Sequence, residues 1–200
     1  MAYRNGTYIA FDGLGQTNPT LSDFKYYGSM QAWAKNKNID FQYVNSHDKT
    51  YAVRDSSLKA TLQARIRERL AKSKNTVVIL SSDTRKSGSM LSYEIEQAVD
   101  SYELPLIIAY VDYQVVANPS QLSTYWPTAL SMRINNGTAK AIHSPFIKDA
   151  ILDAIGQFNV SNMPGTSKNH YTADAHRTFG ALSATGSFTN VRKSRGMISG

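Results

Sequence analysis

Two apolar runs constrain the fold of this chain more than any other feature. Residues 76–80 read TVVIL and residues 104–111 read LPLIIAYV, without the alternation of a half-exposed strand. Strands of this kind are typical of parallel sheets that are covered by helices on both faces. A helical pattern over residues 90–102 separates the two runs. The stretch therefore predicts a βαβ unit with a right-handed crossover.

The rest of the chain repeats this alternation. Further strands are predicted at residues 7–11, 40–44 and 138–142, and further helices at residues 23–36, 56–73, 128–132 and 145–157. Pro145 is placed in the first turn of the last helix, where proline is tolerated. The order βαβαβαβ(α)βα predicts an α/β fold: a flavodoxin-like three-layer α/β/α sandwich around a five-stranded parallel sheet.

The alternating pattern stops near residue 160. Residues 161–200 contain five of the twelve glycines, and with five basic residues and one acidic residue they carry more than half of the net charge of +7. We expect residues 1–160 to form one domain and residues 161–200 to form a basic tail that is flexible or ordered by a partner. A basic tail can touch nucleic acid, but it is more often merely solvated, so a nucleic-acid partner is not favoured.

Composition excludes several classes of site. The chain has no cysteine, which rules out disulfides, zinc–thiolate sites and cysteine nucleophiles. Its four histidines are scattered, so no metal site is predicted. The opening MAYRNGTYIAFDG lacks the apolar segment of a secretory signal, and no apolar run is long enough to span a membrane. We therefore expect a cytoplasmic protein with no membrane partner.

Polar loops follow the first four predicted strands, beginning at Phe11, Asn45, Ser81 and Asp112. Ligands of open parallel sheets bind at this carboxyl edge. The first loop contains Gly13 and Gly15 but lacks the third glycine of a dinucleotide fingerprint, so a turn or lid is the preferred interpretation.

Two further places in the sequence are candidates for acid–base chemistry. His47 beside Asp48 is either a site pair or, more commonly, an ordinary pair on a loop surface. Glu94 lies near the start of the helix over residues 90–102, close to the carboxyl edge. Helical periodicity puts Glu94 and Glu96 on opposite shoulders of the apolar stripe and does not decide which of them is buried.

A family resemblance adds to this reading. Residues 76–112 have an apolar strand, Ser82 and Thr84 in a short loop, the triplet Tyr93-Glu94-Ile95 on a helix, and a second apolar strand. This arrangement resembles the TIR domain and, more narrowly, the TIR-like proteins of the Thoeris antiphage defence family. The opening YIAFDG resembles the first strand of that family. Met90 stands where the family usually has tryptophan.

The resemblance implies an enzyme that cleaves NAD at the nicotinamide–ribose bond, with NAD as substrate and no permanently bound cofactor. By family analogy Glu94 is the catalytic carboxylate. The same analogy suggests residues that bind the rest of the substrate: Ser82, Thr84 and Arg85 for ribose or phosphate, Phe11 and Asp12 for the nicotinamide side, and Tyr113 for a base.

The resemblance also implies partners. TIR catalysis commonly needs two subunits, so self-association is expected, with a phage protein as a possible trigger. A diffusible nucleotide, linear or cyclic, would reach a separate effector. Two other interpretations stay open: a non-catalytic TIR-like sensing or assembly module, and a nucleoside deoxyribosyltransferase-like enzyme, which shares the layout and a catalytic glutamate.

Overall fold

The computed structural model describes residues 4–14, 22–35, 43–44 and 56–193, with the backbone alone for residues 43–44 and 56–58. The predicted strand over residues 40–44 is therefore described only at its last two residues. The loop after it, with His47 and Asp48, lies outside the described residues, as does Gly15 of the glycine pair.

The strands and helices alternate as predicted along most of the chain. The strands are β1 (Gly6–Ala10), β2 (Tyr43–Val44), β3 (Ser73–Leu80), β4 (Leu106–Tyr110), β5 (Tyr113–Val115), β6 (Ala141–Pro145), β7 (Asn169–His170) and β8 (Val191–Arg192). The helices are α1 (Phe24–Lys35), α2 (Ser56–Ala71), α3 (Met90–Glu96), α4 (Thr128–Asn135), α5 (Lys148–Gln157) and α6 (Ala173–Thr178). A π-helix at Gln97–Ser101 continues α3, and Pro119–Tyr125 form a 3-10 helix.

The central sheet has the strand order β2-β1-β3-β4-β6-β7. Every neighbouring pair in it is parallel, and β3 lies in register between β1 and β4, with Val77 opposite Ile9 and Ile107. Five of these strands are the predicted ones, and β7 adds a two-residue strand at the edge. The flavodoxin-like parallel fold is confirmed.

Successive residues of the strands point into two separate apolar cores, one on each face of the sheet. On one face, Tyr8 and Leu80 pack with α2, α3 and α4. On the other face, Ile9 and Ile79 pack with α1 and α5. The central strands are covered on both sides, which explains why their sequences are continuously apolar.

The last β-α unit differs from its predicted bounds. The strand predicted at residues 138–142 is β6, which runs to Pro145, and the helix begins only at Lys148. Pro145 therefore does not lie in the first turn of the helix, and that prediction is wrong. The reason is that the ladder with β4 continues to Pro145 opposite Tyr110, whose carbonyl then accepts a hydrogen bond from the Phe146 amide at 2.9 Å.

The part of the chain predicted to be a tail packs on the sheet through residue 193. It supplies β7, α6 and β8, and it buries Tyr171 and His176. This differs from the expectation of a flexible or partner-ordered segment, because its buried residues are too irregularly spaced to produce a periodic signal. The predicted division into domains at residue 160 stays a prediction. Within the described ranges, no helix is both long and apolar enough to cross a bilayer.

Candidate active site

The hydroxyl-rich loop after β3 is held by its own side chains. The Ser81 amide donates to Thr84 Oγ1 at 2.9 Å, and the Thr84 hydroxyl donates to Asp23 Oδ2 at 3.2 Å. Thr84 and Asp23 are both buried, whereas Ser82 is exposed. Burial raises the pKa of Asp23 to about 6 against the hydrogen bonds from Ser81 and Thr84. The loop is therefore fixed at the carboxyl edge, beside a carboxyl group with a raised pKa.

Asp12 and Arg85 form a bidentate ion pair at the same edge. Arg85 Nε and Nη2 donate to the two oxygens of Asp12 at 2.9 and 2.7 Å, and the backbone amides of Arg85 and Leu14 donate at 3.1 and 3.0 Å. Burial opposes the charge on Asp12, but these hydrogen bonds outweigh it and hold the pKa of Asp12 below its ordinary value. The pair joins the end of β1 to the loop after β3.

Glu94 is buried on the inner side of α3, with 3% of its surface exposed. The Tyr8 hydroxyl of β1 donates to Glu94 Oε1 at 2.7 Å. The other oxygen, Oε2, is buried and accepts no hydrogen bond from the described part of the chain. Buried carboxyl oxygens normally have a partner, so Oε2 is an exception among the buried groups that the structure describes.

The ionisation of Glu94 follows from this environment. Burial raises its pKa to about 8, and the negative charge of Asp12 contributes to the rise, whereas the Tyr8 hydrogen bond and Arg69 oppose it. Perturbed carboxyl groups of this kind occur in catalytic sites, although buried structural networks also produce them. The contribution of Asp12 shows that its charge is close enough to act on the carboxyl of Glu94.

Two further predicted site residues follow the ends of β1 and β4. Phe11 is buried and stacks on Tyr27, with ring centroids 5.1 Å apart. Tyr113 is half-buried at the far end of the edge and meets Tyr125 edge to face at 5.6 Å. The Ser82 amide donates to Asp112 Oδ2 at 2.9 Å, which ties the loop after β3 to the end of β4.

Three residues of this site were not singled out by sequence reasoning. Tyr8 reads as an ordinary member of a buried strand, and its contact with Glu94 spans 86 positions. Asp23 and Asp112 stand in polar loops without a motif. The signal that was available is the position of Asp112 directly after a buried strand, at the edge where ligands bind.

The histidines described by the structure have structural partners. His143 accepts from the Tyr110 hydroxyl at 2.8 Å and donates to the Ser167 carbonyl at 3.0 Å, while Trp126 donates to Tyr110. Burial lowers the pKa of His143 to about 4, which keeps it neutral at pH 7. In the described ranges, no three His, Asp or Glu side chains gather as a metal site would require.

A parallel α/β sheet with a buried glutamate and hydroxyl-rich loops at its carboxyl edge matches the layout of TIR-like domains. The family model for the Thoeris protein ThsB, TIR-like domain, matches residues 8–115, which is more than half of the chain. This protein therefore belongs to the ThsB TIR-like family of Thoeris antiphage defence. The matched range begins within β1 at Tyr8 and includes the loop after β3, α3 and β4, and so contains both Tyr8 and Glu94.

Proposed function

We propose that the protein cleaves NAD at the nicotinamide–ribose bond, with Glu94 as the catalytic carboxylate, and releases an ADP-ribose-derived signal in antiphage defence. The observation that carries this proposal is the buried carboxyl of Glu94. Tyr8 fixes one of its oxygens, and the other oxygen has no partner among the described residues. Membership of the ThsB family supports the same chemistry.

The reaction needs a group that stabilises positive charge at the ribose. When the bond to nicotinamide breaks, its electron pair leaves with the nicotinamide ring, and the ribose carbon becomes oxocarbenium-like. A fixed carboxylate stabilises that charge, and its second oxygen can accept a hydrogen bond from a ribose hydroxyl. Water then attacks the carbon and loses a proton, which gives ADP-ribose, or a hydroxyl of the same molecule attacks and gives a cyclic product.

Substrate binding would change the ionisation of Glu94. With its pKa raised to about 8, the free protein holds most of Glu94 protonated at pH 7. The nicotinamide ring of NAD is positively charged, and a cation next to a buried carboxyl favours the carboxylate. The bound substrate itself would therefore help to produce the catalytic form.

Other residues take supporting roles in this proposal. Ser82 presents an exposed hydroxyl for ribose or phosphate, and Thr84 positions the loop from a buried site. Asp12 and Arg85 hold β1 against that loop, and Arg85, with a 45% exposed side chain, keeps Nη1 for a substrate oxygen. Phe11 shapes the nicotinamide side from the core, and Tyr113 offers a ring for a base.

The proposal includes partners of the reaction. NAD is the substrate, self-association completes the site, and a phage protein is the trigger. The product leaves as a diffusible nucleotide that reaches a separate effector. No nucleic acid takes part.

The test is NAD consumption with product masses for wild type, Glu94→Gln and Glu96→Gln. Glu96 is the matched control because it lies on the same helix and is only half-buried. Assays use high protein concentration, with and without lysate of phage-infected cells. We expect Glu94→Gln to lower turnover at least about 100-fold, since loss of a group that stabilises transition-state charge costs about that much. Glu96→Gln should retain turnover within about threefold.

Three results would contradict the proposal. Equal turnover by Glu94→Gln and wild type would remove the catalytic role of Glu94. No NAD turnover under any condition, with Glu94→Gln still protective in infected cells, would indicate a sensing or assembly module. Exchange of nucleobases between deoxynucleosides without NAD cleavage would identify a deoxyribosyltransferase-like enzyme.

A further inference from the structure

The C-terminal segment of the chain returns to the candidate site. Residues 190–193, here called the strap, lie against the end of β4 and against β5. β8 pairs antiparallel with β5, with Arg192 opposite Tyr113. The Lys193 amide donates to the Asp112 carbonyl at 2.7 Å, while Asp112 Oδ2 accepts from Ser82. One residue, Asp112, thus contacts both the strap and the hydroxyl-rich loop.

Asn190 anchors the strap through all of its polar side-chain atoms. Its Oδ1 accepts from the amides of Ala117 and Asn118 at 2.7 and 2.8 Å. Its Nδ2 donates to the Asn118 carbonyl at 2.8 Å and to Gln121 Oε1 at 3.2 Å. Four directed hydrogen bonds from one side chain fix the position of the next residues, Val191 and Arg192.

The proposed substrate is a dinucleotide and carries a diphosphate. The basic side chains at the carboxyl edge of the sheet differ in whether an acid already neutralises their charge. Arg85 uses Nε and Nη2 for the two oxygens of Asp12, so its charge is largely neutralised by an ion pair. Arg192 is exposed, and in the described part of the chain no carboxylate forms a salt bridge with it. Its charge is therefore available to an anionic ligand.

Two tyrosine rings and a second cation border Arg192. Tyr113 and Tyr125 meet edge to face and are both half-buried. Burial raises the pKa of Tyr125 to about 12, and Arg192 is close enough to oppose that rise. Lys86 donates to the carbonyl of Thr124, the residue before Tyr125 in the 3-10 helix Pro119–Tyr125. The ammonium group of Lys86 keeps two further hydrogens for a ligand.

We propose that Arg192 and Lys86 form an anion subsite beside Tyr113 and Tyr125, which binds the phosphates of the nucleotide while a tyrosine ring contacts its base. The inference rests on the proposed function, because it identifies the phosphate-binding end of the same site. Planar guanidinium groups bind phosphate oxygens in pairs, and aromatic rings at such a place stack on bases. Arg192 lies beyond residues 8–115, the range of the family match.

The test is equilibrium binding of ADP-ribose and of adenosine, which has no phosphate, to wild type, Arg192→Gln, Lys86→Gln and Arg177→Gln. Arg177 is the matched control because it lies in the same C-terminal segment, is exposed, and pairs with Asp174 on α6. We expect Arg192→Gln to weaken ADP-ribose binding at least about tenfold and Lys86→Gln about threefold to tenfold. Adenosine binding should change less than about twofold in every variant, and Arg177→Gln should bind both ligands like wild type.

Each contrary result has a distinct meaning. Wild-type affinity of Arg192→Gln for ADP-ribose overturns the subsite, and so does an equal loss of adenosine binding, which would indicate a role in positioning the tyrosines. Equal weakening by Arg177→Gln would replace the subsite with a general effect of the basic segment. If wild type cleaves NAD and Arg192→Gln binds ADP-ribose like wild type, the proposed function is supported and the anion subsite is refuted. ADP-ribose binding that depends on Arg192, without NAD cleavage, supports the subsite and refutes the reaction.

Discussion

Asp12 and Glu94 are two acids with little solvent exposure whose pKa values are shifted in opposite directions. They are 2% and 3% exposed, and the negative charge of Asp12 acts on Glu94. Asp12 accepts four hydrogen bonds, two of them from the Arg85 guanidinium, and its pKa is lowered. Glu94 accepts one from Tyr8, and its pKa is raised to about 8.

The difference has two causes that act together: Asp12 has more hydrogen-bond donors, and Glu94 lies deeper in the protein, where burial opposes its charge more strongly. Burial opposes the charged form of both groups. Four donors outweigh that cost at Asp12, and a single neutral hydroxyl does not outweigh it at Glu94. Asp12 is thus the acid that joins β1 to the loop after β3. Glu94 is the acid whose second oxygen has no partner among the described residues and can bind a ligand.

The largest effect is expected when the saturated acid is changed. Asp12→Asn places an amide group against the Arg85 guanidinium. It removes the negative charge that pairs with Arg85 and accepts the backbone amides of Arg85 and Leu14. We expect a loss of about 2–3 kcal/mol in the free energy of unfolding, less than for a fully buried pair because Arg85 is half exposed. Denaturant unfolding measures it.

The control for this change is Asp174→Asn, which removes the carboxylate of an exposed pair with Arg177. Exposed pairs contribute little, so a loss below about 0.5 kcal/mol is expected. If the two variants were equally stable, Asp12 would not be the acid that holds β1 against the loop after β3.

The second prediction concerns stability as a function of pH. The pKa of Glu94 is raised from its ordinary value of 4.5 to about 8, so the folded protein binds this proton more tightly than the unfolded chain. Its stabilising contribution is full below pH 4.5 and is lost as the pH rises to about 8. Asp12 acts in the opposite sense, since its lowered pKa makes its contribution disappear only in acid.

The measurement compares unfolding free energies of wild type and Glu94→Gln across this range. The difference should shift by about 2 kcal/mol between about pH 5.5 and about pH 7, because one differentially bound proton changes the free energy of unfolding by about 1.4 kcal/mol per pH unit, and wild type loses relative stability as the pH rises. Parallel curves would mean that Glu94 titrates at an ordinary pKa and that its burial is overcome by other groups.

The smallest effect is expected when the Tyr8 hydroxyl, the one donor to Glu94 in the described part of the chain, is removed. Tyr8→Phe deletes the hydroxyl that orients Oε1 and favours the carboxylate. We expect about a tenfold lower kcat/KM for NAD near neutral pH, the usual order for one hydrogen bond to a charged group. Tyr93→Phe is the control. Tyr93 precedes Glu94 on α3, but its hydroxyl accepts a hydrogen bond from Arg67 at the surface. Equal rates for wild type and Tyr8→Phe would deny Tyr8 a positioning role.

Sequence reasoning located most of the fold because its signals are local. The apolar runs of β3 and β4 and the helix spacings are each visible within about ten residues. The end of β6 was misplaced because Pro145 suits either a helix start or the end of a strand, and only the ladder with Tyr110 decides between them.

The candidate site was predicted only in part, since its contacts join distant positions. Glu94 could be placed near the carboxyl edge, but helical periodicity leaves Glu94 and Glu96 equivalent, and only packing against Tyr8 buries the first. The Asp12–Arg85 pair spans 73 positions and leaves no local pattern. The return of residues 190–193 to β5 depends on one asparagine whose neighbours show no period.

The most direct test of this account is the pH dependence of kcat/KM for NAD, which reports the ionisation of the free enzyme. The catalytic form of Glu94 is the carboxylate, and the pKa of its carboxyl is raised to about 8. We predict that kcat/KM rises as the pH increases and levels off above about pH 8. A rate that is flat or falling over this range, or no NAD cleavage at any pH, would contradict the assignment of Glu94 as the group that acts on the ribose.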